Sequence, residues 1–141
     1  MEMNRFYPDI RDFIAQLPVI DTHEHNMGFS DNIWDPLYQA VIGNYLESDL
    51  KVAAGPQNEE EANKTLDGRT ESRERIRLFL KLFEKTRHTA YAKGILRGLK
   101  ECRGVEELTE ESVERVMALY KEADKDYYES TLEKYGIQAM L

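Results

Sequence analysis

Residues 18–26 read PVIDTHEHN, and the fold turns on how this stretch is taken. Val19 and Ile20 are β-branched, and the residues after them alternate in character. That pattern predicts a short buried strand from Pro18 to about His23. On a strand, residues i and i+2 share a face, so Asp21, His23 and His25 project together while Thr22 and Glu24 point the other way. Two imidazoles at the end of a strand can supply two nitrogen ligands to a divalent metal, with Asp21 orienting one of them from behind. Such a metal lowers the pKa of a bound water or polarises a carbonyl. On spacing alone, the pair fits equally a solvated turn or a polar pair in a core. A catalytic zinc takes about three protein ligands, so two histidines are an incomplete set.

Upstream, FYPDIRDFIAQL (6–17) predicts a short helix. Pro8 suits its first turn, Ile10, Phe13, Ile14 and Leu17 recur at helical spacing, and Pro18 ends it. Downstream, NMGFSDN (26–32) reads as a loop, and nearly everything after it as helix.

The segment 35–55 starts at Asp35-Pro36, carries a break signal at Gly43-Asn44 and stops at Gly55. The polar run 56–70 predicts a weak helix at most, and is the segment expected to be most flexible. Residues 70–86 form a strong amphipathic pattern with Ile76, Phe79, Leu80 and Phe83 inside and Thr70 as N-cap. Residues 88–104 place Tyr91, Ile95 and Leu99 on one face and stop at Gly104. Residues 108–126 open on Thr109 as N-cap with acidic residues in the first turn, and bury Val113, Val116, Met117 and Tyr120. YYESTLEKYG (127–136) is a last short helix closed by Gly136, and YGIQAML reads as the entry to a second strand. Tyr120, Tyr127, Tyr128 and Tyr135 recur at near-helical spacing, which a packed stripe explains better than a ligand-stacking surface.

Across its 141 residues the chain is 41% apolar and 33% charged, with a net charge of −8. That balance suits a folded domain and speaks against nucleic acid, whose phosphates need a basic footprint. No apolar run reaches membrane-spanning length, about 18 residues, so no membrane partner is expected. The single cysteine, Cys102, cannot form an internal disulfide, which favours the cytoplasm. It reads as a small half-buried residue without a histidine to activate it. His88 reads as a surface or helix-end residue. Arg73, Arg75, Arg77 and Arg87 could meet a substrate carboxylate, but on amphipathic helices such charges are usually solvated.

The motif apolar-Asp-x-His-x-His after a first strand, here VIDTHEH, resembles the amidohydrolase superfamily of metal-dependent hydrolases. THEH is similar to the phosphotriesterase branch. The preceding helix, the LPVID lead-in and the long helical stretch before YGI look more like the amidohydrolase-2 branch, near the uronate isomerases. The resemblance implies a (β/α)8 barrel, with His23 and His25 as metal ligands and Asp21 beside them. It implies a divalent cofactor, one or two zinc ions, and a small carboxylated or amide-type substrate.

The remaining ligands of that superfamily come from later strands, and a barrel needs at least about 200 residues. The chain is therefore expected to be mostly α with one or two strands: the N-terminal part of a barrel enzyme, inactive alone. Residues 1–26 would be the first helix and strand 1, 27–136 a helical insertion or lid, and 137–141 the start of strand 2. The insertion could also mediate a homo-oligomer. Two alternatives stand beside this: a non-catalytic helical interaction module, and a fragment of a related isomerase or decarboxylase.

Overall fold

The computed structural model describes residues 6–22, 35–122 and 125–140. The chain is mostly helical with two short parallel strands. It divides into two compact units: Met1–Asp31 with Ala123–Leu141, and Asn32–Glu122.

The first unit holds α1 (Tyr7–Ile14), β1 (Val19–Asp21), α7 (Lys125–Lys134) and β2 (Ile137–Met140). Pro8 occupies the first turn of α1, where its missing N–H costs nothing. β1 and β2 pair in parallel, with Val19 opposite Ile137, Ile20 opposite Ala139 and Asp21 opposite Met140. An irregularity falls between Val19 and Ile20, and the N–H of Val19 donates to the carbonyl of Gly136 at 3.0 Å. α7 packs on β2.

The predicted strand exists but is shorter than expected, and it is not buried: Val19 and Ile20 are both exposed. A parallel sheet is covered on both faces when complete. Crossover helices supply that cover, and among the described residues none is packed on the pair at Val19 and Ile20. α1 likewise buries no residue, and its spaced Ile10, Phe13, Ile14 and Leu17 all face solvent.

The second unit carries the hydrophobic core. Asp35 opens it, accepting the N–H of Tyr38 on Oδ1 at 3.1 Å. A π-helical turn (Tyr38–Ile42) follows, and then α2 (Gly43–Ala54). The junction is Gly43 at φ +60°, a value that side-chain-bearing residues avoid, so the expected break lies where the glycine stands. The N–H of Gly43 donates back to the carbonyl of Tyr38, the five-residue step that defines the π turn.

After Gly55 a 3-10 turn (Pro56–Asn58) leads into α3 (Glu59–Leu66). The weak, flexible segment expected here is instead a docked helix that buries Ala62 and Thr65 against α2 and α4. Glu59, Glu60 and Glu61 sit in its first turn, where negative charge favours a helix start. They looked merely polar in sequence.

α4 (Ser72–Thr86) is the central helix, packed against α2, α3 and α6. It buries Ile76, Phe79, Leu82 and Phe83, and the rings of Phe79 and Phe83 lie 5.5 Å apart. Its N-cap is Glu71 rather than Thr70: the Glu71 carboxylate accepts the N–H groups of Arg73 and Glu74 at 3.0 and 2.8 Å. The Glu71 carboxylate thereby takes up two of the orphan donors of the first turn. Those bonds hold the Glu71 carboxyl below the usual range.

α5 (Ala90–Arg103) is capped by Thr89, which accepts from the N–H of Ala92, and ends at Gly104 in the left-handed region. α6 (Glu110–Glu122) starts as expected from Thr109, whose hydroxyl accepts the N–H of Ser112. Val113 and Val116 are buried, and Met117 packs at the edge of the core. Among the described residues, all buried apolar side chains lie between Leu37 and Val116, inside this unit.

Candidate metal centre

The pairing of β1 with β2 fixes where the sequence motif begins. Val19 and Ile20 hold the strand in register, and Asp21, half-buried, is its last residue. Thr22 follows, exposed. His23 and His25, the two residues expected to bind metal, lie outside the described residues. The motif therefore starts at the C-terminal end of a strand in a parallel pair. In parallel α/β sheets that is the end where ligand sites assemble.

Among the described residues no group of three or more His, Cys, Asp and Glu side chains could hold a metal ion. His88 is exposed in the turn between α4 and α5. Cys102 is exposed in the last turn of α5, not half-buried as expected.

The arginines sort sharply. Arg75, expected on a solvated face, is buried, its side chain 6% exposed. Its Nη1 and Nη2 donate to Asp35 Oδ1 and Oδ2 at 3.0 and 2.8 Å, and its Nε donates to the carbonyl of Thr65 at 3.1 Å. Each of its three nitrogens donates inside the protein. Arg77 meets Glu110 and Arg87 meets Glu84, both in solvent, and Arg73 is exposed.

Two other polar groupings stand out in the helical unit. The Tyr38 hydroxyl donates to Glu47 Oε2 at 2.8 Å, and Lys51 donates to the other oxygen of Glu47. Burial and the Glu47 carboxylate push the Tyr38 phenol up to about 12, while Lys51 and then Tyr38 pull the Glu47 carboxyl down. A shallow cleft of about 360 Å³ is lined by Gln57, Asn58, Glu60, Glu61, Lys64, Glu74 and Leu78. Lys64 pairs with Glu60 and Lys81 with Glu61, so lysines partly neutralise its acids. Neither grouping offers the convergent, enclosed donors of a catalytic site.

Tyr91, expected on an inner face, is exposed instead and stacks on Tyr45 of α2, ring centroids 4.9 Å apart and ring planes nearly parallel. Leu99 of the expected face is buried, and Ala92 is buried where Tyr91 is not. No helix among the described residues is long and apolar enough to cross a membrane. Comparison with family models, with curated proteins and with solved structures finds no match.

Proposed function

We propose that this chain is the N-terminal part of a metal-dependent enzyme of the amidohydrolase type, built on a (β/α)8 barrel. The observation that supports the reading is Asp21, the first residue of DTHEH, at the C-terminal end of β1, a strand that pairs in parallel with β2 across a long helical excursion. A parallel pair requires such a crossover, and a helical one is the unit from which barrels are built.

On this reading His23 and His25 are metal ligands and Asp21 is a positioning partner. Imidazole nitrogens suit zinc, and at least one more ligand must come from elsewhere in the protein. A divalent metal held there supplies water activation or carbonyl polarisation. The substrate class is a small carboxylated or amide-type molecule. Hydrolysis is the first choice of reaction, with isomerisation or decarboxylation as its near relatives. Residues 1–26, 27–136 and 137–141 then serve as helix with strand 1, insertion, and start of strand 2. The 141-residue chain is inactive alone, the protein works in the cytoplasm, and the insertion is a candidate surface for a homo-oligomer.

The test is elemental analysis and activity of a longer polypeptide that continues the reading frame beyond Leu141. About one or two zinc-like ions per chain, lost together with activity in His23→Ala and in His25→Ala, is the expected result. Unchanged metal content in both variants would sink the proposal.

A second reading is favoured by the confinement of the buried core, among the described residues, to the helical unit. A self-contained helical module that binds a partner protein needs no metal, and the histidine pair is then incidental. It requires metal-free protein and full partner binding by the His23→Ala variant.

A further inference from the structure

We draw no further inference here: the strongest candidate, the exposed face of α5 that carries Ala90, Gly94 and Gly98 with the stacked Tyr45 and Tyr91 at one end, is a stripe of small residues, and nothing in the structure shows what covers it.

Discussion

Asp35 and Arg75 meet end to end across 40 residues of sequence, two nitrogens against two oxygens at 3.0 and 2.8 Å, with both side chains almost wholly buried. The same Asp35 caps the π turn through Tyr38, and the same Arg75 holds the carbonyl of Thr65 at the end of α3. One ion pair thus joins the entrance of the helical unit to α3 and α4. Burying two charges is costly, and the gain comes from satisfying every oxygen and nitrogen at once. Removing one partner strands the other. Arg75→Met should lower unfolding free energy by about 3–5 kcal/mol in urea denaturation. The double variant Asp35→Ser, Arg75→Met should recover part of that loss, because serine keeps the cap and no charge is left buried. A loss below about 1 kcal/mol in Arg75→Met would show the pair to be solvated.

Tyr38 supplies a pH prediction. Its phenol sits near 12 in the folded protein against an ordinary value of 10.0, raised by burial and by its bond to Glu47. A raised pKa means the folded state favours the proton. The stabilisation is complete below pH 10 and is lost as pH rises through 12. An alkaline titration followed by tyrosinate absorbance should show a late phase near pH 12. Tyr38→Phe should abolish that late phase, and Glu47→Gln should move it earlier. A late phase that survives Tyr38→Phe belongs to another residue.

The glycines divide by backbone conformation. At Gly94 and Gly98 a Cβ would meet nothing within 4 Å, and neither has a positive φ. Each weakens α5 while leaving open space where a methyl group would fit, so Gly94→Ala and Gly98→Ala should each stabilise by about 0.5–1 kcal/mol. Gly104 is equally open but left-handed, at φ +64°. Gly104→Ala should destabilise by about 1 kcal/mol. Thermal melts of the three variants separate the two effects, which should carry opposite signs.

Phe79 and Phe13 make a matched pair of apolar rings. Phe79 is 0% exposed at the centre of α4, and Phe13 is 64% exposed on α1. Phe79→Ala should cost about 3–5 kcal/mol through lost burial and the cavity left behind. Phe13→Ser should fall within about 0.5 kcal/mol of wild type, as exposed substitutions do. Similar losses from the two in urea denaturation would mean that α1 is covered in solution.

Local signals were legible in the sequence, and long-range ones were not. Gly43, Gly55, Gly104 and Gly136, singled out as breaks or stops, all adopt positive φ, because a helix end that needs this conformation selects glycine. The stripe of α4 and the Thr109 cap of α6 follow from periodicity and cap chemistry within one or two turns. Arg75 was invisible as a core residue because its partner lies far away in sequence, and its neighbours in SRERIR look like any charged face. α3 was underestimated since Ala62 and Thr65 are weakly apolar, and their burial depends on α2 and α4. Asp21 is the last residue of β1, while the two histidines that give the motif its meaning were legible as residue types and spacing alone.

The pairing of residue 19 with residue 137 has a kinetic side. Closing so long a stretch of disordered chain costs on the order of 4 kcal/mol in entropy. Two short strands repay little of it. The helices between them make mostly local contacts, which form in microseconds to milliseconds. The strands should therefore meet late in folding, after the helical unit is in place, and part early in unfolding. A nascent chain would hold its VIDTHEH segment without a strand partner until residue 140 has left the ribosome. Within these 141 residues, the strand pair that leads into the motif would be among the last elements to acquire its shape.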